Sequence, residues 1–78
     1  MPELPEVETV RRTLAAVLPG RTIETVHVAL PRLIKNASPA DFAAALRGQT
    51  VTAVQRKGKY LRLVFDGPRH LLIHLRMT

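Results

Sequence analysis

Three closely spaced runs of alternating apolar and polar residues constrain the fold of this chain more than any other feature. The runs occupy residues 51–56, 60–65 and 70–77. Successive side chains of a strand point to opposite faces, so each run predicts a strand with one apolar face. The segments between the runs are short and contain glycine, as hairpin connections do. The second half of the chain therefore predicts mainly antiparallel strands.

The first half predicts helices around one further strand. Residues 5–18 carry apolar side chains at helical spacing, with Pro5 at the first helical position and Pro19-Gly20 at the end. The apolar face is expected to contain Val7, Val10, Leu14 and Val17 or Leu18. Residues 22–30 alternate as a strand does, although Ile23 breaks the phase.

A second helix is predicted from a capping signature. Ser38 offers a hydroxyl cap, Pro39 suits the first helical position, and the helix would run to Arg47 before Gly48. The elements together predict an α+β fold, in which the N-terminal helix packs on a β-sandwich-like set of mainly antiparallel strands. At 78 residues the chain is expected to be one domain, residues 1–78.

Charge and composition narrow the class of function. The net charge is +6, from 12 Lys and Arg against 6 Asp and Glu, and three of the acids (Glu3, Glu6 and Glu8) stand within the first eight residues. A basic domain with a small acidic cluster suits a protein that holds a polyanion while carboxyls act on it. The chain has no cysteine, hence neither a disulfide nor a thiolate metal site. It shows neither a signal peptide nor an apolar run long enough for a membrane span, so a cytoplasmic location is expected.

The second residue is a candidate nucleophile. Removal of the initiator methionine would leave Pro2 with a free secondary amine. An α-amino group has a pKa of about 8, well below the ~10.4 of lysine, so a useful fraction is neutral at physiological pH. A secondary amine that condenses with a carbonyl-level carbon forms an iminium, which is cationic at any pH and can accept electrons in an elimination.

Two carboxyls are expected near this amine. Glu3 is adjacent to Pro2, and Glu6 lies about one helical turn later. Clustered carboxyls repel each other as anions, so at least one pKa in the cluster is expected to rise and to provide a general acid. The competing interpretation is that Glu3, Glu6 and Glu8 only favour the positive end of a helix dipole.

The opening residues Met1-Pro2-Glu3-Leu4-Pro5-Glu6-Val7-Glu8 resemble, residue for residue, the start of bacterial formamidopyrimidine-DNA glycosylases. Lys57-Gly58-Lys59-Tyr60-Leu61 is similar to a basic "GKYL" segment of that family, and Ile73-His74-Leu75-Arg76-Met77 is similar to its "HLGM" segment. The order and spacing of the three segments agree, so the resemblance spans essentially the whole chain.

The resemblance implies a role for each matching residue. Pro2 would attack C1′ of the damaged nucleotide, Glu3 would transfer protons during ring opening and elimination, and Glu6 would help to arrange the site. Lys59 and His74 would contact DNA phosphates. Met77 would enter the base stack in place of the extruded base, which enzymes acting on a base inside a duplex require.

The resemblance also implies what lies outside the chain. Family members are several times longer, with a helix–two-turn–helix segment and a zinc finger of four cysteines, so one structural zinc is expected in the longer parent and no cofactor in residues 1–78. The expected partner is double-stranded DNA with oxidised purines such as 8-oxoguanine, bound by a monomer in the bacterial cytoplasm. Without those further segments, the chain alone is expected to have little or no repair activity.

Two positions bear on how far the resemblance extends. Arg76 stands where the family frequently has glycine, which alters the backbone beside Met77 or adds a phosphate contact. Leu4 favours the formamidopyrimidine branch over the endonuclease VIII-like enzymes for oxidised pyrimidines, which more often have glycine there.

Other classes of protein remain as alternatives. Small tautomerases also use an N-terminal proline, but their chains continue into an apolar strand instead of an acidic helix start. A non-catalytic nucleic-acid-binding module accounts for the charge without explaining the grouping of Pro2 with Glu3 and Glu6. A truncated reading frame without activity is a third alternative. Tyr60 and Phe65 are expected to be packing residues.

Overall fold

The computed structural model describes residues 4–75, which form two helices and one antiparallel sheet. Helix α1 spans Leu4–Val17 and helix α2 spans Pro39–Leu46, with a short 3-10 helix at Pro31–Leu33 between them. Strands β1 (Val51–Lys57), β2 (Tyr60–Phe65) and β3 (His70–His74) follow in that order across the sheet. The α+β fold, with an N-terminal helix packed on antiparallel strands, is confirmed, and the strands of residues 4–75 make a single sheet.

Helix α1 buries most of its predicted apolar face. Val7 is fully buried, and Leu14 and Leu18 pack against the core as predicted, together with Ala15. Val10 and Val17 are instead exposed, at 36% and 53%. The residue between Val7 and Leu14 on the inward side is an arginine with a side chain that is 28% exposed, and apolar spacing does not identify it. That residue, Arg11, donates from Nη1 to the backbone carbonyl of Val54 in β1 at 3.3 Å.

The predicted strand over residues 22–30 is wrong except at its start. Thr22 bridges Thr50 in antiparallel sense, and the N–H of Ile23 donates to the carbonyl of Gln49. For this antiparallel pairing to continue, residues 46 and 47 would have to be extended strand partners. Leu46 is instead the last residue of helix α2. The segment therefore leaves the sheet, and Ile23 and Val26 pack on the core from a non-strand backbone.

Helix α2 begins as the capping signature predicts. The hydroxyl of Ser38 accepts a hydrogen bond from the N–H of Asp41 at 3.1 Å, and Pro39 holds the first helical position. Phe42 and Leu46 direct the apolar side of this helix toward the sheet. The core thus lies between the two helices and one face of the sheet.

Strand β1 contains a β-bulge that sets which residues face the helices. Val51 pairs with Phe65, but the next pair is Ala53 with Val64, so Thr52 is an extra residue. The hydroxyl of Thr52 donates to the carbonyl of Val64 at 3.2 Å. As a result, Val51 and Val54 both reach the core although three positions separate them.

The remaining strand predictions are confirmed with small changes of boundary. Leu61, Leu63 and Phe65 share the core-facing side of β2, with Leu61 only 1% exposed. The last strand ends at His74, and the predicted extension to Met77 lies mostly outside the described residues. Within residues 4–75, no helix has both the length and the apolar character needed to cross a membrane.

Candidate functional site

Three guanidinium groups converge on the carboxylate of Glu8 in helix α1. Arg11 Nη2 donates to Oε2 at 2.7 Å and Arg12 Nε to the same oxygen at 2.9 Å, while Arg56 Nε donates to Oε1 at 3.0 Å. These hydrogen bonds, that from Arg11 first and then those from Arg56 and Arg12, lower the pKa of Glu8 to about 2. Glu8 is therefore an ionised partner of arginines, and the raised pKa expected in the acidic cluster does not belong to it.

Arg56 also contacts the turn that joins β1 to β2. Its Nη1 donates to the carbonyl of Gly58 at 3.2 Å. Gly58 has a φ of +61°, in the left-handed region that glycine adopts without steric cost. This turn presents Lys59, a predicted phosphate contact, immediately before β2.

The start of β2 lies beside the end of β3. Tyr60 pairs with His74 across the two strands, and their rings are 4.7 Å apart between centroids at an interplanar angle of 35°. The predicted phosphate contacts Lys59 and His74 are therefore brought to the same end of the sheet. Tyr60 packs on the imidazole of His74 and not in the core, since it is 47% exposed, whereas Phe65, the other predicted packing residue, is buried in the core.

The side of the sheet that faces away from the helices is basic. Cross-strand pairing places Lys57 with Tyr60 and His74, and Arg62 with Leu72, on this side. None of the three strands contains an aspartate or glutamate. A polyanion approaching this end of the sheet would meet cationic side chains without a competing strand carboxylate.

Several predicted site residues lie outside the described residues. These are Pro2 and Glu3 before helix α1, and Arg76 and Met77 after β3. Glu6 lies in the first turn of α1 and is exposed. The predicted grouping of the Pro2 amine with the carboxyls of Glu3 and Glu6 therefore stays a prediction, as does the wedge role of Met77.

The described part of the chain offers no metal site. No group of three or more His, Cys, Asp or Glu side chains within residues 4–75 is arranged to hold a metal ion. The four-cysteine zinc site that the resemblance implies for a longer parent does not fit these residues, since the sequence has no cysteine.

Sequence reasoning missed the bridge formed by Glu8 and Arg56. The sequence pattern indicated Glu8 only as part of the acidic helix start, and it indicated no particular role for Arg56. The pairing of β1 with β2 across their connecting turn could have identified this contact. A short turn at residues 57–59 places Arg56 opposite Leu61, and a core-facing Leu61 brings Arg56 to the side of the helix.

The whole chain matches a known family of proteins. Residues 1–78 match the family model described as "Formamidopyrimidine-DNA glycosylase N-terminal domain". The chain is 49% identical to the formamidopyrimidine-DNA glycosylase of Carboxydothermus hydrogenoformans, over 100% of this chain and 30% of that protein. It is 54% identical to the enzyme of the same name from Symbiobacterium thermophilum, over 100% of this chain and 25% of that protein.

Solved structures agree with these relatives. A crystal structure of wild-type Lactococcus lactis Fpg (MutM) in complex with DNA containing N7-benzyl-Fapy-dG matches with a TM-score of 0.90 at 38% identity, covering 97% of this chain and 28% of that one. A complex of Lactococcus lactis Fpg with DNA containing Fapy-dG matches with a TM-score of 0.88 at 37% identity, over 96% of this chain and 28% of that one. The chain spans less than a third of the length of these relatives. At this identity over its full length, the chain belongs to the formamidopyrimidine-DNA glycosylase family and corresponds to its N-terminal domain.

Proposed function

We propose that this chain is the catalytic domain of a bifunctional DNA glycosylase and apurinic-site lyase that removes oxidised purines in base-excision repair. The observation that supports the proposal most is that the family's sequence motifs meet at one end of the fold. Glu8 of α1 contacts Arg56 beside the turn with Lys59, and Tyr60 after that turn pairs with His74.

Pro2 would supply the covalent step. Its secondary amine attacks C1′ of the damaged nucleotide, the bond from C1′ to the base breaks, and the base leaves with the bonding electrons and takes up the proton that the proline nitrogen loses. Glu3 then transfers a proton to the ring oxygen as the sugar opens, which leaves an iminium between the proline nitrogen and C1′. The iminium draws electrons from the sugar and so assists the elimination that cleaves the strand. Glu6, in the exposed first turn of α1, helps to arrange these groups.

The DNA contacts would come from the end of the sheet where Lys59 and His74 meet. Phosphate contacts fix the register of a protein on a duplex and make binding dependent on salt. Arg76 follows His74 by two residues, and we assign it a further contact with the DNA backbone. Met77 would fill the space in the stack left by the extruded base.

We further propose that the longer protein acts as a monomer in the bacterial cytoplasm and carries its structural zinc outside residues 1–78. The preferred lesions are proposed to be 8-oxoguanine and formamidopyrimidines. Another Lactococcus lactis Fpg complex contains DNA with an oxidized pyrimidine, which makes an endonuclease VIII-like preference the second candidate.

Covalent trapping tests the proposed function. The full-length gene product is incubated with an 8-oxoguanine duplex and with an oxidised-pyrimidine duplex in the presence of borohydride, which reduces an iminium to a stable amine. We expect a protein–DNA adduct, formed more efficiently with 8-oxoguanine, and no adduct from Pro2→Ala.

The variant Pro5→Ala is the matched control, since Pro5 lies within α1 and has no free amine; it should form adduct as the wild type does. A non-catalytic binding module would bind DNA equally well in all three forms and give no adduct. Mass spectrometry showing Met1 still attached in an active protein would also contradict the role of Pro2.

A further inference from the structure

Arg56 is the only one of the three arginines on Glu8 that comes from the sheet. Arg11 and Arg12 lie on the same helix as Glu8, three and four residues later, and Arg12 remains 75% exposed. Arg56 stands 48 residues away in sequence, at the end of β1. Its side chain is 34% exposed and makes hydrogen bonds to both the helix and the turn.

The guanidinium of Arg56 joins two parts of the fold. One nitrogen, Nε, donates to Glu8 in α1 at 3.0 Å, and another, Nη1, donates to the Gly58 carbonyl in the turn at 3.2 Å. Because the guanidinium is planar and rigid, two hydrogen bonds in different directions fix both partners relative to each other. A lysine at this position would keep the charge but could not hold the same two directions.

Apolar packing alone would not fix this geometry. Val7 and Leu61 are 0% and 1% exposed, so burial already holds α1 on the sheet. Burial is non-directional, however, so it restrains the position of the helix along the sheet less specifically than a hydrogen bond does. Two polar contacts add directional restraints: Arg11 donates to the Val54 carbonyl in the middle of β1, and the Glu8–Arg56 bridge restrains the helix beside the turn.

We propose that Glu8 and Arg56 are positioning residues for the repair reaction, which set the place of the first turn of α1 relative to the phosphate-contacting turn at residues 57–59. The proposal rests on the function proposed above. Pro2 is attached two residues before Leu4, the first residue of α1, and Lys59 follows Gly58 directly. The bridge thereby links the nucleophile's end of the helix to a contact with the DNA backbone.

The consequence for the reaction is kinetic. A nucleophile displaced by about 1 Å from its target loses rate by up to ~100-fold, even when the substrate is still bound. Loss of the bridge should therefore slow attack on C1′ much more than it weakens DNA binding. A residue that only stabilised the fold would instead reduce the fraction of active protein and leave the rate of that fraction unchanged.

The test compares the same substitution at two arginines that contact the same carboxylate. Arg56→Lys and the control Arg12→Lys are made in the full-length gene product, and adduct formation with an 8-oxoguanine duplex and borohydride is followed under single-turnover conditions. The amplitude reports the active fraction, the rate constant reports positioning, and a separate titration gives the Kd for DNA. Glu8→Gln removes the charge from the helix side of the bridge and provides a second route to the same result.

We expect the rate constant to fall by about 10-fold or more in Arg56→Lys and to fall also in Glu8→Gln, with the Kd changed by less than about two-fold. Arg12→Lys should retain the wild-type rate. A wild-type rate in Arg56→Lys, or an equal loss in Arg12→Lys, would overturn the positioning role while leaving the proposed function in place. A wild-type protein that forms no adduct would overturn both.

Discussion

Glu8 shows how three neighbours can decide the chemistry of one side chain. The hydrogen bonds from Arg11, Arg56 and Arg12 lower the pKa of Glu8 from 4.5 to about 2. The raised pKa expected for a carboxyl near the Pro2 amine stays a prediction. Two of these arginines are local and could be anticipated from helical spacing. The third comes from the sheet, so its contribution depends on the tertiary fold.

This lowered pKa predicts a dependence of stability on pH. Because the folded protein holds Glu8 ionised more strongly than the unfolded chain does, the stabilisation is fully present above about pH 4.5 and is lost as the pH falls toward 2. We expect the difference in Tm between wild type and Glu8→Gln to be constant near neutrality and to shrink between these pH values.

Thermal unfolding followed by circular dichroism from pH 7 to pH 2 measures this difference. Glu24→Gln is the matched control, because Glu24 is an exposed glutamate outside the helices and strands. It should follow the wild type at each pH. A Glu8→Gln difference that stays constant down to pH 2 would contradict the ionised bridge.

Among the elements, those with strong local signals were predictable. The capping residues of α2 and the boundaries of β2 follow from Ser38, Pro39 and the glycine-containing turns. The inward position of Arg11 in α1 was not predictable from apolar spacing, because this partly exposed side chain is charged and reaches the carbonyl of Val54. The strand prediction fails after Thr22. The alternating apolar and polar residues are typical of a strand, but the segment that would have to pair with them is helical at Leu46.

The cap of α2 gives a prediction at the level of this element. Ser38→Ala removes the acceptor for the Asp41 N–H and should lower the free energy of unfolding by about 1 kcal/mol. For a domain of this size, that loss corresponds to a fall in Tm of roughly 4–8 °C.

Urea or thermal unfolding measures the change in the free energy of unfolding and in Tm. Ser38→Asp is the control, because aspartate keeps a side-chain oxygen that can cap the helix. Ser38→Asp should stay near the wild type, and the rate of adduct formation should be unchanged in both variants. Equal destabilisation by alanine and aspartate would show that the hydroxyl does not act as a cap.

The whole molecule has a small core relative to its surface. Six apolar residues of the described chain are buried: Val7, Leu46, Val51, Val54, Leu61 and Phe65. Leu33 and Leu72, by contrast, are 67% and 52% exposed. A domain of this size buries a low fraction of its surface, so its stability is expected to be marginal.

The isolated 78-residue chain is therefore expected to trap an 8-oxoguanine duplex at least about 100-fold less efficiently than the full-length gene product. The physical reason is that residues 1–78 cover only 25–30% of the relatives above, so the contacts that the rest of such a protein makes to DNA are missing. Borohydride trapping at equal protein concentration makes the comparison. Adduct formation equal to that of the full-length protein would show that this domain alone suffices.

The sequence segments identified Lys59 and His74 as candidates, and the pairing of Tyr60 with His74 places them at the same end of the sheet. Their contact with DNA phosphates stays a prediction. The link from Glu8 to Arg56 was predictable only by counting back from the turn, where a core-facing Leu61 places its partner Arg56 on the helix side. Counting forward from Val51 gives the opposite side, since the irregularity in β1 leaves no clear mark in the sequence.

The extra residue at Thr52 has an effect beyond its own position. Counting alternately from the core-facing Val51 along a regular strand would assign Lys57 to the helix side and Arg56 to the opposite side. The inserted residue reverses this assignment of sides. Arg56 therefore contacts Glu8, while Lys57 and Tyr60 lie on the side of the sheet that faces away from the helices. One additional amino acid near the start of the strand thus places two adjacent cations on opposite sides of the sheet. Arg56 forms contacts within the protein, and Lys57 faces the solvent or a nucleic acid.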